Sequence, residues 1–263
     1  MALPYFAPRF IEFPPREQRY AARIDNNLIL AKSPMRLFRK FIFVVLLFPA
    51  FLHGSEELVT VADGSTIKVF VFYPKDFGEG PWPLTVLMSG GTANEYVVRA
   101  QFWLGHELAN QGWAIAVPVS PNDDGFFGAS GERIPEVIAS LQKSSAIQPG
   151  KTLLVGVSNG GSSALELASQ HPENYLGVVA VPGIIKDEDK IGHFDGLPVY
   201  VRIGENDFLR WNKELPTLIR QLTDAGAKVN AKLQPNANHV FPINWAELQP
   251  WLDSIREDAL QVD

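Results

Sequence analysis

The stretch Thr152-Leu-Leu-Val-Gly-Val-Ser-Asn-Gly-Gly161 decides how this chain folds, because an apolar run leads directly into a Gly-x-Ser-x-Gly pattern. A serine hydroxyl is a weak nucleophile, so a fold that uses one must expose its oxygen beside a base and near amide donors. Gly156 and Gly160 allow a sharp turn on either side of Ser158. The stretch predicts a strand, a tight turn that presents Ser158 as a nucleophile, and a helix. The alternative is a chance match in a glycine-rich loop, which the flanking strand and helix disfavour.

A second glycine-containing segment, Pro149-Gly150-Lys151-Thr152, is similar to the end of a phosphate-binding loop. Ser145 stands where that loop needs its first glycine, and a strand follows instead of a helix. We therefore exclude nucleotide binding at this segment.

Composition excludes several classes of function. The chain has 263 residues, which suffice for one large domain with its own core. Its formal net charge of -6 offers no basic patch for a nucleic-acid backbone, so nucleic acid is not an expected partner. It has no cysteine, which excludes disulfides, thiolate metal sites and a cysteine nucleophile.

The amino-terminal part has the layout of a secretory signal peptide. A basic segment beginning at Met35 precedes an apolar run over residues 41–52. That run is shorter than the roughly 20 residues that span a bilayer, so a permanent membrane span is the weaker interpretation. We expect residues 1–34 to be a non-native or disordered extension, residues 35–55 a signal peptide, and residues 56–263 the catalytic domain. The mature protein is then secreted or periplasmic, with no stable membrane span after cleavage.

From residue 58 onward, short apolar or β-branched runs alternate with segments of helical period, which is typical of an α/β domain. Asp63-Gly64 is a hairpin signal, so the first two strands are predicted to be antiparallel and the others parallel. The predicted strands cover residues 58–61, 67–73, 84–88, 114–119, 153–157, 178–181, 199–203 and 229–233. The predicted helices cover residues 95–111, 134–143, 159–171, 211–225 and 245–256.

This arrangement, with the serine turn after the fifth strand, resembles the α/β-hydrolase fold over residues 58–256. Small esterases of the phospholipase/carboxylesterase, dienelactone hydrolase and polyester-depolymerase groups have motifs similar to Gly156-Val-Ser-Asn-Gly-Gly161, Ser89-Gly90-Gly91-Thr92, Ile203-Gly-Glu-Asn-Asp207 and Asn238-His239. The residues do not choose among these groups. The resemblance implies a mostly parallel sheet with an antiparallel first hairpin and helices on both faces. The short connection before residue 199 leaves no room for a large lid.

The resemblance also implies a triad in the order Ser158, Asp207, His239. Asp207 follows the strand at residues 199–203, and His239 lies in a loop after the last strand. His239 then serves as the general base and Asp207 orients its ring.

Each of these residues has competitors. His106 and His171 fall on predicted helices or at their ends, His193 precedes the strand of the acid, and His53 lies in the signal segment. Glu205 is the alternative acid, with a solvated loop charge as its simpler interpretation. Asp123-Asp124 could suggest a metal pair, but a turn before Gly125 is favoured, because no other residue with ligand spacing accompanies them.

Two loops are predicted to stabilise the oxyanion of a tetrahedral intermediate through backbone amides. One donor is the amide of Asn159, which follows the nucleophile. The other comes from Ser89-Gly90-Gly91-Thr92, where related esterases commonly have His-Gly-Gly. Gly91 is the predicted donor, and Thr92 is the alternative. An ordinary turn that happens to contain two glycines is the simpler interpretation.

The resemblance implies a serine carboxylic-ester hydrolase that forms an acyl-enzyme on Ser158, without a metal or an organic cofactor. Its expected substrate is a small-molecule or polymeric ester. A serine peptidase or thioesterase of the same fold is one alternative, and a non-catalytic binding module is another. An apolar acyl or aryl pocket is predicted from the loop aromatics, with core packing as the alternative for each: Tyr96, Phe126, Phe127, Phe208, Trp211 and Phe241.

Overall fold

The structure is a computed structural model that describes residues 54–185 and 187–260, with residues 257–260 described by their backbone only. The predicted extension at residues 1–34 lies outside this part of the chain. So does the predicted signal peptide, except for its last two residues, which begin the first strand.

Eight strands form one sheet in the order β1-β2-β4-β3-β5-β6-β7-β8. The strands are β1 (Gly54–Thr60), β2 (Thr66–Phe72), β3 (Leu84–Met88), β4 (Ala114–Pro118), β5 (Thr152–Gly156), β6 (Tyr175–Ala180), β7 (Pro198–Gly204) and β8 (Lys228–Gln234). The β1/β2 and β2/β4 pairs are antiparallel, and every other neighbouring pair is parallel. All eight predicted strands and the antiparallel first hairpin are confirmed, with ends that differ by up to four residues.

Helices cover both faces of the sheet. They are α1 (Glu95–Ala100), α2 (Phe102–Ala109), α3 (Ala129–Glu132), α4 (Ile134–Leu141), α5 (Asn159–Gln170), α6 (Leu215–Asp224) and α7 (Trp245–Leu260). Apolar residues of α1, α2 and α7 belong to one buried cluster, and those of α4, α5 and α6 belong to a second cluster. Since β3, β4 and β5 are buried at every position, their sequences are continuous apolar runs. This architecture is the α/β-hydrolase fold.

Two helix predictions were wrong in detail. The segment predicted as one helix over 95–111 forms α1 and α2, because the backbone breaks at Gln101. The segment predicted as a helix over 211–225 begins with the 3₁₀ turn Trp211–Lys213, and α6 starts afterwards with Pro216 in its first turn. The helix α3 and the 3₁₀ turns Pro172–Asn174 and Glu188–Lys190 were not predicted, since such short elements have too few residues to show a period.

The parallel strands all point the same way, so the loops after β3, β5, β7 and β8 gather at one edge of the sheet. That edge carries every residue predicted for catalysis. Among the described residues, no helix is long and apolar enough to cross a bilayer.

Candidate active site

Ser158 occupies the turn between β5 and α5 in a backbone conformation that is rare for a residue with a side chain. Its φ is 56° and its ψ is -119°. Such a conformation costs about 1–3 kcal/mol and persists only where the surroundings enforce it. Here the Ser158 amide donates to the carbonyl of Pro182 at 2.8 Å. The turn therefore holds the Ser158 side chain outside both the strand and the helix.

The glycines around Ser158 are required by close backbone contacts. A Cβ on Gly160 would lie 2.0 Å from the carbonyl oxygen of Met88, at the end of β3. A Cβ on Gly156 would lie 2.2 Å from the carbonyl oxygen of Gly160. Both distances are far below a permitted contact, so α5 can approach the sheet this closely only with glycine at both positions.

Asp207 and His239 lie in the loops that follow β7 and β8. A Cβ on Gly204 would lie 1.9 Å from the carbonyl oxygen of Asn238, so the two loops touch through their backbones. The Asp207 amide donates to the Gly204 carbonyl at 3.1 Å, which turns the acid back over the end of β7. The Leu209 amide donates to Asp207 Oδ1 at 2.8 Å and leaves Oδ2 for a second partner.

The structure brings Ser158, His239 and Asp207 together in one hydrogen-bonded series. His239 Nε2 lies 2.8 Å from Ser158 Oγ, and His239 Nδ1 lies 2.7 Å from Asp207 Oδ2. The Asp207 carboxylate is fully buried and the imidazole nearly so. Because a buried carboxylate accepts a hydrogen bond, it favours the tautomer in which Nδ1 carries the proton. The lone pair of Nε2 is then directed at the serine hydroxyl.

Two aromatic rings contact His239 edge-on. The ring centroid of Trp211 lies 4.9 Å from that of His239, and the ring of Phe208 lies 5.4 Å away. Trp211 is buried, whereas Phe208 is 72% exposed. Apolar rings around the imidazole lower the local dielectric and strengthen its interaction with Asp207.

The competing residues lie elsewhere or serve other purposes. Glu205 Oε2 accepts from the Asn236 amide at 2.9 Å, so its carboxylate braces the loop after β8. His106 stacks against Phe72, and burial lowers its pKa. His171 pairs with Glu173, and His53 is outside the described residues.

Asp124 closes the predicted turn before Gly125. Its Oδ1 accepts from the hydroxyl of Ser120 at 2.9 Å and from that of Ser130 at 3.1 Å. The residues described by the structure contain no cluster of histidine, aspartate and glutamate that could hold a metal ion. Asp124 thus organises a loop, and this loop lies against the glycine loop after β3, because the Gly125 amide donates to Thr92.

The glycine loop after β3 packs directly against the serine turn. A Cβ on Gly90 would lie 2.8 Å from the carbonyl oxygen of Val157 and 3.1 Å from Ser158 Cβ. The Gly90 amide donates to Gln101 Oε1, and the Ala93 amide donates to the Gly90 carbonyl. Within the described part of the chain, the amides of Gly91 and Thr92 have no protein acceptor. These two amides are therefore the ones that this loop can offer to a substrate.

Sequence reasoning missed two contacts that build this loop. Gln101 bonds the Gly90 amide from the junction of α1 and α2, and the side chain of Asn159 donates to the Gly91 carbonyl at 3.0 Å. No local sequence pattern predicts either contact, because each joins residues in different elements and depends on how those elements pack.

The aromatic residues predicted to line a pocket divide into two groups. Phe126, Trp211 and Phe241 are buried in the core clusters, which agrees with the core-packing alternative, and Trp211 also contacts His239. Tyr96 and Phe208 are exposed, and Phe127 is half-buried.

Comparison with protein families places this geometry in a known group. The family model for the dienelactone hydrolase family matches residues 128–259, which is half of the chain. The chain belongs to the dienelactone hydrolase family. The family assignment and the architecture identify the protein as an ester hydrolase of the α/β-hydrolase fold. The matched segment contains the serine turn, Asp207 and His239, whereas the glycine loop after β3 precedes it. No curated protein sequence matches the chain significantly.

Solved structures show the same fold at low sequence identity. A dienelactone hydrolase from Anabaena variabilis ATCC 29413 is 18% identical, with a TM-score of 0.56 over 77% of this chain and 96% of that one. A phospholipase/carboxylesterase from Dyadobacter fermentans DSM 18053 is also 18% identical, with a TM-score of 0.52 over 71% and 95%. An S-formylglutathione hydrolase from Agrobacterium tumefaciens is 13% identical, with a TM-score of 0.59 over 78% and 95%.

The contact between the loops after β7 and β8 generates a test. We expect Gly204→Ala to lower kcat/KM for a chromogenic ester by at least about tenfold, since a shift of roughly 1 Å at a reacting group can cost on the order of 100-fold. The added methyl group would displace the Asn238 carbonyl and, with it, His239.

Gly105→Ala is the matched control. Its Cβ would meet no atom closer than 3.4 Å, so we expect activity within about twofold of wild type. Equal activity in the two variants would mean that the His239 loop does not depend on this contact.

Proposed function

We propose that this protein is a serine esterase in which Ser158 is the nucleophile, His239 the general base and Asp207 the orienting acid. The observation that carries the proposal is the unbroken series from Ser158 Oγ to His239 Nε2, at 2.8 Å, and from His239 Nδ1 to Asp207 Oδ2, at 2.7 Å. A serine in an ordinary structural turn has no need of a buried imidazole and a buried carboxylate behind it.

Each residue has a defined part in the proposed reaction. Ser158 Oγ attacks the carbonyl carbon of the ester while His239 Nε2 takes the hydroxyl proton. His239 then donates this proton to the alkoxide oxygen as the alcohol leaves, and the acyl group stays on Ser158. A water molecule gives a proton to His239 Nε2 and attacks the acyl carbon, and His239 returns this proton to Ser158 Oγ as the bond to the acyl group breaks and the carboxylic acid leaves. Asp207 stabilises the imidazolium that forms in both halves.

The negative charge of each tetrahedral intermediate develops on the former carbonyl oxygen. In the proposed mechanism the backbone amide of Asn159 and that of Gly91 donate to it. The Asn159 amide belongs to the first turn of α5, where the helix dipole also favours an anion. Removing one such donor typically costs on the order of 100- to 1000-fold in kcat.

Exposed apolar side chains next to the triad support an ester with an apolar group. Phe208 and Leu209 follow Asp207 directly, and Val240 follows His239, and all three are exposed. Such side chains gain free energy when an acyl or alkyl chain covers them. Small-molecule esters of this kind, or the exposed groups of a polymeric ester, are the proposed substrates. The proposal that the protein is exported rests on the sequence at residues 35–55.

A fluorophosphonate probe tests the assignment of the nucleophile. We expect covalent labelling of the wild type and none of Ser158→Ala, because the probe reacts only with an activated serine. Intact-protein mass spectrometry measures the adduct. A folded wild type that remains unlabelled would favour a binding module without turnover.

Asp207 and Glu205, the two acidic residues after β7, provide a matched pair of substitutions, and His239 is tested beside them. We expect Asp207→Asn and His239→Ala each to lower kcat by at least about 1000-fold, since either change removes the oriented base. Glu205→Gln, two residues away on the same loop, should stay within about threefold, because the Glu205 carboxylate contacts the Asn236 amide and not His239. Steady-state kinetics on a p-nitrophenyl ester measure both effects. A larger loss in Glu205→Gln than in Asp207→Asn would reassign the acid.

Substitutions at Leu209 and Leu58 test whether the exposed apolar side chains beside the triad bind the substrate. We expect Leu209→Ser to lower kcat/KM for p-nitrophenyl octanoate, relative to the acetate, by about fivefold, which corresponds to covering roughly half of a leucine side chain. Leu209 is 49% exposed beside the triad, and Leu58 is 68% exposed on the edge strand β1. Leu58→Ser should leave the octanoate-to-acetate ratio unchanged. The same ratio in both variants would exclude Leu209 from substrate binding.

A further inference from the structure

The glycine loop after β3 needs contacts from outside the loop to hold it in one conformation. Gly90 and Gly91 are adjacent, and Gly91 has a φ of 59°, which glycine adopts without steric cost. Two successive glycines permit several orientations of the peptide group between them and of the one that follows. Only one orientation can direct the loop's amides at a developing oxyanion, and a peptide that turned over would present a carbonyl oxygen there instead.

Three successive carbonyl groups of this loop accept hydrogen bonds from neighbouring elements. Thr92 accepts from the Gly125 amide at 3.0 Å, and Ala93 accepts from the Ser120 amide at 2.9 Å. Both donors belong to the loop that Asp124 organises, on the side away from the nucleophile. Gly91 accepts at 3.0 Å from Asn159 Nδ2, the side chain that follows Ser158.

The contact to Gly91 differs from the other two in its donor. Backbone amides hold Thr92 and Ala93, so no single side-chain substitution removes those donors. The Gly91 carbonyl is held by a side chain, and this side chain belongs to the serine turn itself. It connects the nucleophile to the glycine loop, since Asn159 also supplies the backbone amide at the start of α5.

We propose that the Asn159 side chain is a positioning residue, which holds Gly91 in the conformation in which its amide can donate to the oxyanion. A peptide group is planar, and its carbonyl and N–H point in opposite directions. Fixing the Gly91 oxygen therefore fixes the plane of the Gly91–Thr92 peptide group, and it also anchors Gly91 itself, whose own amide, on the preceding peptide group, is the donor in the proposed mechanism. This inference rests on the proposed esterase mechanism and adds to it a role for a side chain, where the mechanism itself uses only the backbone of Asn159.

The role predicts a specific kinetic signature. Oxyanion donors act on the tetrahedral state and not on the bound ester, so a misplaced loop should lower kcat and kcat/KM together and leave KM unchanged. The expected loss lies below that for deleting a donor, because the amides remain present and are merely less often in place. A single hydrogen bond of this type changes a conformational equilibrium by roughly two- to tenfold.

Substitutions at Asn159 test the role without removing its backbone amide. We expect Asn159→Ala to lower kcat for p-nitrophenyl acetate by about tenfold, with KM within about twofold of wild type. The inhibition constant of a trifluoromethyl ketone, which forms a tetrahedral adduct on the serine, should weaken by a similar factor. Asn159→Asp has nearly the same shape but sets a carboxylate against the Gly91 carbonyl, and it should lose at least as much.

Gln142→Ala is the matched control, because Gln142 Nε2 also donates to a backbone carbonyl, that of Gly150, at 2.8 Å. It lies at the opposite edge of the sheet, and its variant should keep all three constants within about twofold. Melting temperatures of the variants show whether each is folded, and Asn159→Asp serves if the alanine variant is not.

Two outcomes would overturn the proposal. One is an unchanged kcat in folded Asn159→Ala and Asn159→Asp. The other is a raised KM with unchanged kcat, which would indicate binding of the ester ground state. Both leave the esterase proposal standing as long as the fluorophosphonate probe labels wild-type Ser158, whereas an unlabelled wild type defeats the esterase proposal first.

Discussion

The close backbone approach of α5 to β3 is the constraint on which the rest of the site depends. A Cβ on Gly160 would lie 2.0 Å from the Met88 carbonyl oxygen, so the helix can begin where it does only because no side chain stands there. This approach sets the turn in which Ser158 takes its unusual backbone conformation. It also brings the end of β3, and with it Gly90, against Ser158.

The same principle operates between the two loops that carry Asp207 and His239. Gly204 lets the Asn238 carbonyl lie against the end of β7, and this contact brings His239 within 2.7 Å of Asp207. Trp211 and Phe208 then enclose the imidazole with apolar rings. Backbone contacts thus determine the distances within the site, and aromatic packing determines its polarity.

The family match covers one part of the site and not the other. The segment matched by the dienelactone hydrolase family contains the serine turn and the loops of Asp207 and His239. The glycine loop, Ser89-Gly90-Gly91-Thr92, lies before this segment. Its shape depends on contacts with Gln101, the Asp124 loop and the Asn159 side chain.

The sequence by itself determined the eight strands, the antiparallel hairpin and the serine turn, because each depends on a local pattern of apolar residues and glycines. Its resemblance to the α/β-hydrolases also led to Asp207 and His239, and their positions after parallel strands agree with one shared edge of the sheet. Only the tertiary structure decided that the helix predicted over residues 95–111 breaks at Gln101, that Phe126 and Phe241 turn into the core, and that Asn159 reaches Gly91. These outcomes depend on contacts between segments far apart in the chain, and the free energy of such contacts is set by packing that no local pattern contains.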